Sequence, residues 1–291
     1  MDNGQERSGP TRRRRRLSDQ ETEQRMLDAA LATVNRVGLT VSLEHISLED
    51  VIREAGVSRS AVYRRWPYKD MFFSDLLRAL ARAAAPAQVP DARPALEQVR
   101  AVVRERPELL RTREGRHTLA VEMLRVGNLA DLAAMAESTV WRTYMALHAT
   151  HLSLDDGELR DEIGQSLAAS ERALVRRTAE NFLGYLSLMG YRIRPELGAD
   201  AETVVAVSMP LVRGAIIMAP AAPEITVRSA HVDPFGGSEE GEWSPVAVAM
   251  TSIALTYIEP DPAVEWDDER VELVRRTFEE GSGLGEERSR E

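Results

Sequence analysis

The residues from 46 to 70 read ISLEDVIREAGVSRSAVYRRWPYKD and contain two short helical patterns joined by a turn. Ser47 is a helix-starting residue in front of an acidic first turn, and Gly56 stands where a helix commonly ends. Ser58 begins a second helix, which stops before Pro67 because proline disfavours helical backbone in the residue that precedes it. Two short helices with a glycine in the turn between them predict a helix-turn-helix unit.

Longer helices are predicted on both sides of this unit. Ser18 and Glu21 have the Ser-x-x-Glu spacing of a capping box, and the helix that they begin ends at Gly38. Another helix runs from about 69 to 80, before the sequence changes to a linker rich in Ala and Pro. Residues 18–82 are therefore expected to fold as one small helical domain.

The net charge of −10 is unevenly distributed along the chain. Residues 1–86 contain 15 basic and 12 acidic residues, a net charge of +3, whereas the remainder contains 22 and 35, a net charge of −13. Such an asymmetry lets a basic end meet a polyanion while the acidic remainder keeps the molecule soluble. A nucleic-acid partner is therefore compatible with the N-terminal end of the chain.

The polar N-terminal segment, residues 1–17, lacks hydrophobic periodicity and is expected to be disordered in the free protein. It contains five consecutive arginines, Arg12, Arg13, Arg14, Arg15 and Arg16. Two interpretations of this run stay open. It is either an arm that enters the DNA minor groove beside the helix-turn-helix unit, or a solvated tail that adds non-specific attraction.

The composition excludes several classes of site. The chain has no cysteine, which removes disulfides, thiolate zinc sites, iron–sulfur clusters and cysteine nucleophiles. The nucleotide-loop, nucleophile-elbow and zinc-protease motifs are also absent from the sequence, so neither an enzyme nor a cofactor is expected. The lack of cysteine and of a secretory leader favours a cytoplasmic location without a membrane partner.

Beyond residue 94 the chain alternates long helical patterns with short polar breaks. Strand patterns are almost absent, so we expect an all-α fold with a larger helical domain over residues 94–280 and a flexible tail over 281–291. Residues 221–243 are expected to be irregular. The predicted helices of the larger domain lie near residues 95–112, 116–126, 128–151, 158–189, 198–218, 245–258 and 262–280.

The helix-turn-helix unit and its flanks resemble the DNA-binding domain of TetR-family (tetracycline-repressor-like) transcriptional regulators. The resemblance rests on the Ala-Gly-Val-Ser turn of residues 55–58, on Tyr63 followed three residues later by a tryptophan, and on the Lys-Asp pair after it. It covers about residues 18–80, and the rest of the chain is assigned by analogy alone. It implies a homodimeric regulator, by default a repressor that a small-molecule effector releases from a palindromic operator in double-stranded DNA.

The resemblance assigns most DNA contacts to the second helix of the unit, where Arg pairs with guanine and Ala packs on a thymine methyl group. The implied DNA-binding residues are Ser47, Arg59, Ser60, Ala61, Tyr63, Arg64 and Lys69. The alternatives are a helix cap for Ser47, a core position for Tyr63 and a solvated side chain for Arg64. Glu49 and Asp50 depart from the family pattern, because carboxylates near phosphate are unfavourable.

In this family the larger domain holds an effector pocket and a dimer interface. Aromatic and Met side chains suit a largely apolar effector, although they are also typical of plain core. The pocket candidates are Met123, Trp141, Tyr144, Met145, Phe182, Tyr185 and Met189. The helices 198–218 and 245–258 are apolar on nearly all sides and are the candidates for a four-helix dimer bundle. The interface candidates are Val205, Ile216, Ile217, Val248 and Ile253.

Two further alternatives concern a metal and a second function. His148 and His151 share a helix face, but two histidines without a fixed third ligand are weak evidence, so no metal is predicted. The competing function is a sequence-independent, architectural DNA-binding protein that uses the arginine run. Competition by random DNA distinguishes it from a specific regulator.

Overall fold

The computed structural model describes residues 17–38, 46–83, 93–237 and 239–280. The fold is 76% helix with little strand, which confirms the predicted all-α class. The arginine run at 12–16 and the tail at 281–291 lie outside the described residues, so the predictions made for them stay predictions. The described helices are α1 (Asp19–Val37), α2 (Leu48–Ala55), α3 (Arg59–Arg65), α4 (Lys69–Ala83), α5 (Arg93–Glu105), α6 (Arg113–Glu137), α7 (Thr139–Ser153), α8 (Glu158–Leu188), α9 (Ala201–Met218), α10 (Glu224–Val227), α11 (Pro245–Tyr257) and α12 (Asp268–Glu280).

The N-terminal helices begin where the sequence predicts. The Ser18 hydroxyl accepts the backbone N–H of Glu21 at 3.0 Å, and the Glu21 carboxylate accepts the backbone N–H of Ser18 at 2.8 Å. Ser47 and Ser58 each accept the backbone N–H three residues further on, both at 3.3 Å. Gly56 ends α2 in the left-handed conformation, at a φ of 63°. The three start signals and this glycine stop are therefore confirmed as caps.

One hydrophobic core extends from α1–α4 into the body formed by the later helices. Phe72 and Leu76 of α4 are fully buried, and α4 packs against both α1 and α8. Arg78 of α4 also forms an ion pair with Glu162 of α8. Helix α4 therefore joins α8 to the N-terminal helices by direct packing.

The predicted break at residue 127 is wrong, because α6 continues through Gly127. A Cβ atom there would lie 3.3 Å from Cγ2 of Val99 in α5, so the glycine permits close packing of two helices. The chain breaks instead at Ser138, whose hydroxyl accepts the backbone N–H of Trp141 at 3.2 Å and caps α7.

Two other helix boundaries differ from the prediction. The helix expected over 95–112 ends at Glu105, and a 3₁₀ turn, Pro107–Arg111, follows it. Pro107 stands at the first position of this turn, where its missing N–H group costs no hydrogen bond. The helix expected over 262–280 begins only at Asp268, where the Asp267 carboxylate accepts the backbone N–H of Arg270 at 2.8 Å.

Four three-residue strands accompany the helices in the described part of the chain. β1 (Tyr191–Ile193) pairs antiparallel with β4 (Ile258–Pro260), and β2 (Ala230–Val232) pairs antiparallel with β3 (Gly241–Trp243). The segment 221–243 thus contains α10 and a small antiparallel sheet rather than irregular chain alone. Trp243 is buried against α6, which holds this sheet on the body.

Among the described residues, α9 alone is long and apolar enough to cross a membrane, with a mean hydropathy of 1.5 over its 18 residues. In the fold, α9 packs against α8 and α11, and 44% of it is buried inside the molecule. Val204, Val205 and Met209 are directed into the core. The helix therefore has the character of a core helix with one uncovered face.

Candidate nucleic-acid interface and effector region

The two faces of α3 differ sharply in their surroundings. Val62 and, just after the helix, Trp66 are fully buried, and the Trp66 indole donates to the Asp75 carboxylate of α4 at 2.8 Å. Arg65 donates through Nε to Glu23 of α1 at 2.9 Å. These contacts fix the orientation of α3. Its opposite face is exposed and consists of Arg59, Ser60, Tyr63 and Arg64.

Glu49 of α2 contacts two of the predicted DNA-binding residues. The Arg59 guanidinium lies 2.6 Å from the Glu49 carboxylate, measured between Nη2 and Oε2. The Tyr63 hydroxyl donates to the other carboxylate oxygen at 3.3 Å. The Arg64 guanidinium pairs with Asp19 in the first turn of α1. The cationic side chains on the outer face of α3 are thus held by carboxylates of α1 and α2.

The remaining predicted DNA-binding residues border the same face. Ser47 caps α2 while remaining exposed, so the cap and a phosphate contact are compatible. Ser60 lies 3.3 Å from the Ser58 hydroxyl, and Ala61 is half-buried. Lys69 is exposed at the first position of α4, with its ammonium 4.9 Å from the Phe73 ring centroid.

The predicted effector residues divide among separate hydrophobic clusters. Trp141, Tyr144 and Phe182 belong to the core shared with the N-terminal helices. Met123, Tyr185 and Met189 pack with α5 and α12, and Met145 packs near α9 and α11.

A buried polar cluster lies in the body between α7, α8 and α9. The Tyr144 hydroxyl donates to Glu171 at 2.7 Å, and the Arg213 guanidinium lies 3.0 Å from the same carboxylate oxygen. The Arg213 guanidinium carbon also lies 5.4 Å from the Trp141 ring centroid and 5.5 Å from that of Tyr144. Only 16% of the Arg213 side chain and 31% of the Glu171 side chain are exposed.

The proton affinities in this cluster follow from its geometry. Burial by itself raises the pKa of Glu171, but hydrogen bonds from Arg213 and Tyr144 outweigh burial and hold that pKa below its ordinary value. Burial, reinforced by the hydrogen bond to Glu171, raises the pKa of Tyr144. Glu171 is therefore the ionised acceptor and Tyr144 the neutral donor at neutral pH.

The two histidines of α7 have different neighbours. The His148 ring meets the Tyr144 ring edge-on at 4.7 Å between centroids, and burial together with the Arg213 charge lowers its pKa. His151 packs against Gly164 of α8, where a Cβ atom would lie 2.8 Å from its Nε2. Within residues 17–38, 46–83, 93–237 and 239–280, no group of three or more His, Asp and Glu side chains has the arrangement of a metal site.

The candidate dimer residues differ in exposure. Val205 and Ile216 are buried in the core of the chain itself, and Val248 and Ile253 are half-buried. Ile217, in contrast, is 61% exposed. It belongs to a row of small and apolar positions with helical spacing on the uncovered face of α9, namely Val207, Pro210, Gly214, Ile217 and Met218.

The sequence offers signals for some of these contacts and none for others. In the sequence Glu49 is only a charge in an unfavourable place, because its pairing with Arg59 and Tyr63 depends on how α2 and α3 cross. Arg213 is an isolated charge in an apolar helix, which is a usable signal of a buried partner. Glu171 is one of many carboxylates on α8, so its role in the buried cluster required the structure.

Comparison of the chain with protein-family models, with curated proteins and with solved structures found no match.

Proposed function

We propose that this chain is a sequence-specific, DNA-binding transcriptional regulator that resembles the TetR family and acts in the cytoplasm as a homodimeric repressor. The observation that carries the proposal is the division of α3 into a buried face and an exposed polar face. Val62 and Trp66 anchor the helix, while Arg59, Ser60 and Tyr63 project outward. Arg, Ser and Tyr on a short, rigidly held helix are suited to base edges and phosphates in the major groove.

The uncovered face of α9 supports a homodimer. A row of apolar positions that includes Val207, Ile217 and Met218 leaves apolar surface in water in the single chain. A second copy, related by a two-fold axis, covers such a face with the same face. To read a palindromic operator, such a dimer has to hold its two recognition helices about one helical turn of DNA apart. In this proposal the exposed residues of α9, and not the buried Val205 and Ile216, form the dimer interface.

The effector part of the proposal rests on the clusters of aromatic and Met side chains in the body. A largely apolar effector would have to displace side chains there, because the residues of each cluster are packed together. Trp141 and Tyr144 share a core with α4, so their displacement would reach the helix-turn-helix unit by contact. An effector that favours the displaced state would weaken DNA binding by its difference in affinity for the two states.

The function is tested by fluorescence anisotropy with labelled DNA from upstream of the chain's own gene and with sequences that the protein selects from a random pool. A specific regulator keeps its site against excess random DNA by a factor of about 10³ or more. Binding that disappears in competitor for every selected duplex would instead favour the architectural alternative based on the arginine run.

The dimer is tested by replacing Ile217 with Arg, which introduces two like charges across the proposed two-fold axis. We expect sedimentation equilibrium to shift from dimer toward monomer by about tenfold or more in the dissociation constant. Leu152, which is 77% exposed at the end of α7, provides the matched control Leu152→Arg. An Ile217→Arg chain that remains dimeric, with an unchanged circular-dichroism spectrum, would place the interface elsewhere.

A further inference from the structure

Glu49 is a carboxylate on the surface proposed to bind DNA, beside Arg53 and Arg59. It lies in the first turn of α2 and borders an open groove between α2 and α3 together with Arg53, Gly56 and Arg59. Its two oxygens hold Arg59 at 2.6 Å and Tyr63 at 3.3 Å. The side chains are well exposed, Glu49 at 46% and Arg59 at 73%, so DNA has access to the same groups.

The carboxylate opposes general binding to phosphate in two ways. A phosphate that binds Arg59 either replaces the contact with Glu49, so that one anion is exchanged for another with little gain in free energy, or shares the guanidinium with that carboxylate. Glu49 then lies beside the phosphate, and the two negative charges repel each other. A contact between Arg59 and the DNA backbone is therefore weaker here than the same contact made by an unpaired arginine.

A base edge, unlike a phosphate, can bind Arg59 and Glu49 without opposing the carboxylate charge. Arg has five N–H donors, so Arg59 keeps one toward Glu49 and offers others to the O6 and N7 acceptors of a guanine. Glu49 itself is an acceptor for the amino group of a cytosine. Neither arrangement brings the carboxylate against a phosphate, so the repulsion is weaker than in backbone binding.

We infer that Glu49 is a specificity-determining residue of this chain, which suppresses sequence-independent binding through Arg59 and Tyr63 while permitting binding to a matching base sequence. The inference rests on the DNA-binding function proposed above. It also accounts for an acidic residue on a surface that must approach a polyanion.

The test compares the full-length wild-type chain with Glu49→Gln on two labelled duplexes, one of random sequence and one that the wild-type chain selects from a random pool. Glu54→Gln is the matched control, because Glu54 also lies on α2 and pairs with an arginine, Arg36 of α1. Anisotropy titrations over a range of salt concentrations give both the affinity and its salt dependence. Thermal unfolding of each variant checks that the fold is retained.

We expect Glu49→Gln to raise affinity for the random duplex by about fivefold. Arg59 loses its ion pair and becomes available to phosphate, and the repulsion between the Glu49 carboxylate and the phosphate is removed. The slope of log affinity against log salt concentration should become steeper by about one, which corresponds to one additional phosphate contact. Affinity for the selected duplex should rise less, so that the ratio of the two affinities falls, and Glu54→Gln should leave that ratio unchanged.

Two results would overturn the inference, and they are distinguishable. If the wild-type chain selects no sequence and binds no duplex, the proposed function fails and the inference falls with it. If the wild-type chain does bind a selected duplex but Glu49→Gln matches Glu54→Gln in affinity ratio and salt slope, the function stands and the role of Glu49 is wrong.

Discussion

The outer face of α3 and the buried cluster of the body both pair an arginine with a glutamate, but in opposite environments. Arg59 and Glu49 lie in water, with 73% and 46% of their side chains exposed. Arg213 is only 16% exposed, bound to Glu171 and close to two aromatic rings. An exposed pair exchanges its partner at little cost, whereas a buried pair fixes the positions of the helices that carry it. The first arrangement suits a surface that must accept a ligand, and the second suits a framework.

The difference between the two pairs is tested most directly by replacing the arginine of each pair with leucine. Arg213→Leu leaves the Glu171 carboxylate without its cation and should lower the free energy of unfolding by about 2–3 kcal/mol, less than for a fully buried pair because Glu171 reaches solvent. Arg59→Leu should change it by less than about 0.5 kcal/mol. Denaturant unfolding at one fixed protein concentration measures both, since the proposed dimer would make stability depend on concentration. Equal losses from the two variants would contradict the distinction.

Removing the Tyr144 hydroxyl from the buried cluster should lower the free energy of unfolding by less than Arg213→Leu does. Tyr144→Phe keeps the ring against Trp141 and His148 but removes the 2.7 Å hydrogen bond to Glu171. We expect a loss of about 1–2 kcal/mol, because the acceptor is charged. Tyr63→Phe removes the corresponding hydroxyl contact to Glu49 in the exposed group and serves as the control, with almost no change in the midpoint of denaturant unfolding. A Tyr144→Phe chain as stable as the wild type would show that this hydrogen bond contributes no net stability.

The smallest effect is a dependence of stability on pH. Burial and the Arg213 charge lower the pKa of His148, so the unfolded chain takes up this proton at a higher pH than the folded one. Above the ordinary histidine pKa of about 6.5 neither state is protonated, and below it the free energy of unfolding should fall with pH. His148→Gln should flatten this decline. His231→Gln, at an exposed position, is the control, and identical pH profiles for the two variants would exclude His148 as the source.

Local chemistry explains why the N-terminal helices were predictable. Ser18, Ser47 and Ser58 each cap a helix through a contact three residues away, which the sequence displays directly. Where chain breaks depended on packing, the prediction failed. Gly127 has the residue type of a helix end, but its lack of a side chain serves the approach of α5 to α6.

Most of the features that could not be predicted from the sequence are contacts between segments that lie far apart in the chain. β1 and β4 pair across 67 residues, from Arg192 to Glu259, and three residues in each strand are too few to show an alternating pattern. The outward face of α3 was predictable from its resemblance to a known motif. The carboxylates that occupy it were not, because Glu49 and Asp19 reach Arg59 and Arg64 from other helices.

The most direct test of the central claim, that α3 reads DNA sequence with its exposed face, compares Arg59→Ala with Lys69→Ala on selected duplexes carrying single base-pair changes. We predict that Arg59→Ala removes discrimination at one base pair, by about tenfold or more, whereas Lys69→Ala weakens binding to all duplexes alike and lowers the salt slope by about one. If Arg59→Ala instead weakened every duplex equally, the exposed face of α3 would hold the DNA backbone and the account of sequence recognition would be contradicted.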